Sequence, residues 1–161
     1  TALCLLVDRS GSMGGKPLAT AAVAAAAVAN CAPADCSVLA FGKDIVVAKS
    51  QDSLKPGELV VNDLLTLRGY GTTDLAGALW VAGQQLARSR AARKITVVLS
   101  DCRCTVDGDP VVAAGALPEV VVIAPEADAD EARAFASRAG ARLVTVSGPS
   151  EIPAALSAAL Q

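Results

Sequence analysis

Residues 3–18 read LCLLVDRSGSMGGKPL, and this stretch decides how the rest of the chain is interpreted. Its apolar run ends on Asp8, and Ser10 and Ser12 follow at alternate positions before a group of glycines and a lysine. A run of apolar residues without polar alternation is typical of a strand that is covered on both faces. The stretch therefore predicts a buried strand that leads into a loop of oxygen-bearing side chains, with a helix after the loop.

Apolar runs of strand length alternate with helix-length segments along the whole chain. The runs ITVVLS and EVVVIA are also apolar at nearly every position. This order predicts a Rossmann-like, doubly wound α/β fold, with a mostly parallel six-stranded sheet and helices on both faces. Only FGKD separates the second and third strands, which predicts a hairpin and one antiparallel edge strand. We expect strands at 2–7, 36–41, 45–49, 95–100, 119–124 and 142–147, and helices at 17–31, 56–66, 74–90, 128–139 and 151–160.

The composition indicates a single globular domain and limits its partners. The 161 residues are 53% apolar but only 2% aromatic, so alanine, valine and leucine must fill the core. A net charge of −2 and scattered basic residues argue against nucleic-acid binding. The alanine-rich segment at 17–34 is shorter than the roughly 20 residues of a membrane span, and we interpret it as a buried helix. Because the first strand begins almost at residue 1, we expect one domain, 1–161, cut from a longer protein.

Cysteine usage predicts a reducing, cytoplasmic environment. The number of cysteines is odd, and no basic-then-apolar leader opens the chain. The chain has no histidine and no CxxC pair, which argues against a zinc site. We therefore interpret the cysteines as small buried apolar residues. They are Cys4, Cys31, Cys36, Cys102 and Cys104.

The loop after Asp8 lacks the residues that several catalytic motifs need. A phosphate-binding P-loop would require a glycine where Ser10 stands and a serine or threonine where Pro17 stands. An aspartyl phosphotransferase usually carries a second aspartate at the position of Ser10. The stretch GYGTTD lacks the third glycine of a dinucleotide site, and without histidine a serine hydrolase has no base. We expect no enzyme activity, and a metal-dependent hydrolase or phosphotransferase that uses Asp8 is the alternative.

Metal binding fits the oxygen-bearing loops better. Asp8, Ser10 and Ser12 alternate along one loop, so their oxygens can turn toward one point, although alone they would equally suit a helix cap and a solvated serine. Hard cations such as Mg²⁺ take oxygen ligands and keep several waters. Two further loops, at 69–74 and 101–104, are expected at the same edge of the sheet, where the carboxyl ends of parallel strands meet.

Together the three loops resemble the von Willebrand factor A domain and its metal-ion-dependent adhesion site. That pattern is Asp-x-Ser-x-Ser after the first strand, a threonine in a later loop and an aspartate ending the central strand. Here DRSGS, GYGTTDLAGAL and VVLSDC supply the parts in this order, and the order of elements matches over nearly the whole chain. The corresponding residues are Asp8, Ser10, Ser12, Thr73 (with Thr72 beside it) and Asp101.

The resemblance implies a metal-dependent protein-interaction module. By analogy with the family, Ser10, Ser12 and Thr73 would contact Mg²⁺, or Mn²⁺ or Ca²⁺, directly, and the aspartates would act through water. A glutamate or aspartate of a partner protein would complete the ion's coordination. The phrase VDRSGSM and the alanine-rich helices resemble bacterial intracellular members, which implies a partner such as an AAA-type ATPase in a chelatase-like assembly. A metal-free structural interaction domain is a further alternative.

This sequence departs from the family pattern after Asp101. Cys102 and Arg103 stand where a glycine is common, and the Arg103 cation is expected either to weaken metal binding or to select an acidic partner. Nearby polar side chains have simpler interpretations. Asp74 and Ser150 are expected to cap helices, and Asp44 is interpreted as a turn residue.

Overall fold

The computed structural model describes residues 1–9, 35–66, 73–103 and 108–161. The predicted helix at 17–31 lies outside these residues, as do Ser10, Ser12, Cys31 and Cys104.

A six-stranded sheet forms the centre of the molecule, in the order β3-β2-β1-β4-β5-β6. Only β3 runs antiparallel, paired with β2 at the edge of the sheet. The predicted doubly wound sheet with one antiparallel edge strand is thereby confirmed, and every strand boundary lies within a residue of its prediction. The strands are β1 (Ala2–Asp8), β2 (Cys36–Phe41), β3 (Ile45–Lys49), β4 (Lys94–Leu99), β5 (Val120–Pro125) and β6 (Arg142–Val146).

Described helices cover both faces of the sheet. They are α1 (Gly57–Thr66), α2 (Leu75–Leu86), α3 (Pro110–Gly115), α4 (Asp130–Ala139) and α5 (Ile152–Leu160). Alternate residues of β1 point into two separate layers: Leu5 packs in the layer with α1 and α5, while Leu6 packs in the layer with α2, α3 and α4. Among the residues that the structure describes, no helix is both long and apolar enough to cross a membrane.

Three details of the helices differ from the sequence predictions. The helix predicted at 74–90 ends at Leu86, where the backbone N–H of Ala87 bonds to the carbonyl of Gly83. Helix α3 was not predicted, because six residues are too few to show a helical period. Ser150 does not cap α5; it lies inside a 3-10 turn, Pro149–Glu151, that precedes the helix.

The three described cysteines are free thiols buried in the core. Burial raises the pKa of Cys4 to about 12, and burial likewise raises the pKa of Cys36 to about 12. A thiol with such a pKa is not a nucleophile at neutral pH, because the thiolate is the reactive form. For Cys4, Cys36 and Cys102 the interpretation as small buried apolar residues is confirmed.

Candidate metal centre

Asp8 ends the strand β1, and its carboxylate lies at the carboxyl edge of the sheet with only 2% of the residue exposed. Strand β1 pairs in parallel with β4, with Val7 opposite Leu99. The residues that follow this pair, Asp8 and Ser100, therefore also lie side by side. The hydroxyl of Ser100 donates a hydrogen bond to Oδ2 of Asp8 at 2.6 Å, which fixes the position of this carboxylate.

Asp101 follows Ser100 and is also 2% exposed. Its Oδ1 accepts a hydrogen bond from the backbone N–H of Arg103 at 3.0 Å. The backbone N–H of Cys102 donates to the hydroxyl oxygen of Ser100 at 2.9 Å. Ser100 thus connects the loop after β4 to Asp8. From the sequence, Ser100 was predicted to end a strand and was assigned no role. A serine that ends an apolar run directly before an aspartate could have indicated a hydrogen-bonding residue of the site.

Cys102 has a backbone conformation that ordinarily favours glycine. Its φ is 61°, in the left-handed region, and it is the only non-glycine residue with a positive φ in the described ranges. A side chain in this conformation costs about 1–2 kcal/mol relative to the right-handed one. In this conformation the N–H of Arg103 faces the Asp101 carboxylate. Cys102 therefore adopts a strained conformation that lets the Arg103 N–H bond to Asp101.

Thr73 lies at the same edge of the sheet, immediately before helix α2, and is 2% exposed. The backbone N–H of Asp74 donates to the carbonyl of Gly42 at 2.8 Å, which ties this segment to the end of β2. The Asp74 carboxylate accepts from the N–H of Gly77 at 2.9 Å, so Asp74 is the N-cap of α2, as predicted. The cap and the backbone bond together hold Thr73 in place.

Gly77 allows this cap to form, which leads to a prediction. A Cβ at this position would overlap Oδ2 of Asp74 and lie 3.0 Å from Cδ1 of Ile45. A Cβ at Gly83, in the same helix, would meet only Leu117 at an ordinary 3.5 Å.

We expect Gly83→Ala to raise the free energy of unfolding by up to about 1 kcal/mol through helix propensity. Gly77→Ala should lower it, because the cap must shift, so that the two variants differ by about 1–2 kcal/mol. Urea unfolding measures both, and equal stabilisation by the two substitutions would contradict this account of the cap.

Arg103 is directed mainly toward Asp128 rather than toward Asp101. Its Nε and Nη2 bond to the two carboxylate oxygens of Asp128 at 3.1 and 2.5 Å. Its Nε also lies 3.9 Å from Oδ2 of Asp101. The hydrogen bond from Arg103 lowers the pKa of Asp128 below its ordinary value. The sequence predicts the Arg103 cation beside the site, but it gives no sign of the pairing with Asp128, which lies 25 residues away.

The donor chemistry of this edge fits a hard divalent cation. Two carboxylates, Asp8 and Asp101, lie buried at adjacent strand ends, and a buried negative charge needs a cation or several hydrogen-bond donors. Thr73 precedes the N-cap of α2, which is bonded to the end of β2, and carboxylate and hydroxyl oxygens suit Mg²⁺, Mn²⁺ and Ca²⁺. Within the described ranges, no three side chains of histidine, cysteine, aspartate or glutamate form a metal-binding group. The serine hydroxyls predicted to complete the set, Ser10 and Ser12, lie outside those ranges.

Several solved structures share this fold. A von Willebrand factor type A structure from Catenulispora acidiphila has a TM-score of 0.77 and 16% identity, over 96% of this chain and 40% of that one. Manganese-loaded TRAP protein from Plasmodium vivax has a TM-score of 0.74 and 19% identity, over 96% of this chain and 70% of that one. Proximal thread matrix protein 1 from the mussel byssus, with a zinc-occupied MIDAS motif, has a TM-score of 0.73 and 14% identity, over 99% of this chain and 47% of that one.

These likenesses concern the fold, since all three identities are low. The chain spans less than half the length of the mussel and Catenulispora chains. No protein-family model and no curated protein matches the sequence.

Proposed function

We propose that this chain, which has the von Willebrand factor type A fold, is a divalent-metal-dependent protein-interaction module. In this proposal Asp8, Ser10, Ser12, Thr73 and Asp101 hold one ion at the carboxyl edge of the sheet. The observation that carries it is the pair of buried carboxylates, Asp8 and Asp101, at the ends of neighbouring strands. The hydroxyl of Ser100 donates to Asp8 and accepts the N–H of Cys102, which follows Asp101. The manganese and zinc held by two proteins of the same fold support a divalent cation. We propose Mg²⁺ as the ion in the cell, with Mn²⁺ and Ca²⁺ as substitutes.

The described residues would prepare the site before any ion binds. Ser100 orients the Asp8 carboxylate, and the N–H of Arg103 orients that of Asp101. The bond from Asp74 to Gly42 holds Thr73 at the same edge. A bound ion would supply an electrophilic centre with a coordination position left for an external carboxylate. Because Asp8, Thr73 and Asp101 are held in advance, these three residues would add little ordering cost when a partner docks.

We further propose that the partner is a protein that offers a glutamate or aspartate side chain. A carboxylate suits the site because it adds charge and oxygen donors, and hydrogen bonds to charged groups are the stronger ones. The sequence resemblance to bacterial intracellular members favours an AAA-type ATPase in a chelatase-like assembly, and a cytoplasmic location. The site in this proposal binds the partner and does not carry out a reaction.

Binding of Mn²⁺ and then of a simple carboxylate tests this proposal. We expect one Mn²⁺ per chain, counted by electron paramagnetic resonance of the free ion. We then expect acetate to lower the relaxation rate that bound Mn²⁺ imparts to water protons, because acetate displaces a coordinated water. Acetamide, which has the same shape without the charge, should have no such effect.

Three results would contradict parts of the proposal. Failure to bind Mn²⁺ at millimolar concentration would leave a metal-free interaction domain. Binding of Mn²⁺ with equal responses to acetate and acetamide would overturn the acidic partner. Hydrolysis of a generic phosphate ester at a rate that Asp8→Asn abolishes would favour the metal-dependent enzyme instead.

A further inference from the structure

We infer that Asp128 is a positioning residue for the proposed metal site: by binding the guanidinium of Arg103 through two hydrogen bonds, it keeps this cation from closing onto Asp101 in a direct hydrogen-bonded pair. The inference rests on the proposed function, because it concerns the affinity of that site for its ion. It assigns a role to a residue outside the three loops of the metal-binding motif.

The geometry places one Arg103 nitrogen between two carboxylates. Nε is 3.1 Å from Asp128 and 3.9 Å from Asp101. Asp128 holds the guanidinium through two bonds, one from Nε and one from Nη2, whereas no side-chain hydrogen bond from Arg103 to Asp101 is formed at 3.9 Å. A small rotation of the side chain would exchange one partner for the other.

Burial makes Asp101 the stronger competitor once Asp128 is neutral. The Asp101 side chain is 2% exposed, against 39% for Asp128. Charges attract more strongly where water is excluded, so a guanidinium freed from Asp128 would move onto Asp101. There it would occupy the carboxylate and repel a divalent ion.

The fold fixes Asp128 beside the loop after β4. It ends the 3-10 turn Glu126–Asp128, which follows β5 directly. Strand β5 pairs in parallel with β4, with Ile123 opposite Leu99, so the segments after both strands leave the sheet side by side. The sheet therefore fixes where Asp128 lies.

A double-mutant cycle on Mn²⁺ affinity tests the inference, with the dissociation constant measured by calorimetry on the full chain. We expect Asp128→Asn to weaken Mn²⁺ binding about tenfold, the effect of a unit charge near a divalent ion in a high dielectric. Arg103→Gln should bind Mn²⁺ at least as tightly as the wild type. Adding Asp128→Asn to Arg103→Gln should change the affinity by less than about twofold, the ordinary additivity error.

Asp130→Asn is the matched control, because it removes a nearby carboxylate whose side chain is 99% exposed and which pairs with Arg133. It should leave the Mn²⁺ affinity unchanged. Equal weakening by Asp128→Asn with and without Arg103 would overturn the inference, because Asp128 would then act through its own charge. An unchanged affinity in Asp128→Asn would overturn it as well, while leaving the proposed function intact. A wild type that binds no Mn²⁺ would overturn both.

Discussion

Addition of Mn²⁺ at a hundred times its dissociation constant is expected to raise the free energy of unfolding of the wild type by about 2.7 kcal/mol, because the ion binds only the folded chain. Asp101→Asn is expected to abolish this gain. The asparagine keeps an oxygen at the position of Oδ1, so it can still accept the bond from the Arg103 N–H. The substitution therefore removes the charge and leaves the turn. Urea unfolding of both proteins, with Mn²⁺ and with chelator, measures the difference.

Asp44→Asn serves as the control, because Asp44 is an exposed carboxylate in the turn between β2 and β3. Its backbone carbonyl accepts bonds from Arg9 and Gly42, and the substitution leaves these intact. The variant should keep the full gain in Mn²⁺. If Asp101→Asn retained the gain as well, Asp101 would have no part in holding the ion. If Asp44→Asn lost the gain, the stabilisation would come from the total negative charge at the carboxyl edge of the sheet and would not need a specific site.

The sheet could be predicted from the sequence because its signal is local. A strand covered on both faces must be apolar at nearly every position. The apolar run that opens the chain forms β1, and all seven residues of β1 are buried. The three residues between β2 and β3 leave no room for a crossover, so the antiparallel pairing of the edge strand follows from chain length alone. The order of parallel strands also placed Asp8 and Asp101 at one edge.

The contacts that fix the site were not predictable, because they join residues far apart in the chain. The bond from Ser100 to Asp8 spans 92 residues, and the pair of Arg103 and Asp128 spans 25. Both depend on which strands lie side by side and on where each strand ends to within one residue. A periodic pattern carries no such information.

A similar long-range cluster lies at the opposite end of the sheet. Glu119 accepts hydrogen bonds from Arg93 and Arg142, which also bond to the last carbonyls of α5. The hydrogen bond from Arg93 lowers the pKa of Glu119. These charges resemble ordinary surface residues in the sequence, and only the pairing of β4, β5 and β6 brings them together.

Phe41→Ala is expected to lower the free energy of unfolding by about 3–5 kcal/mol, the usual cost of removing a buried aromatic ring. Phe41 is fully buried and ends β2, opposite Asp8 in the register. It packs in the same layer as Leu75, the first residue of α2. The layer around it consists largely of alanine, leucine and valine, whose short side chains are poorly able to fill the cavity. Urea unfolding measures the loss, which is a large share of the stability of about 5–15 kcal/mol that is typical of a domain.

The same substitution should also weaken Mn²⁺ binding, which separates it from an ordinary core change. The carbonyl of Phe41 accepts the N–H of Arg9, and the next carbonyl, of Gly42, accepts that of Asp74, so this short segment supports the chain beside both Asp8 and Thr73. Leu3→Ala is the comparison, since Leu3 is equally buried but lies at the other end of β1. It should cost about 2–5 kcal/mol and leave the Mn²⁺ affinity unchanged. Equal effects of the two variants on affinity would mean that the site responds to global stability, and that the segment after β2 gives it no particular support.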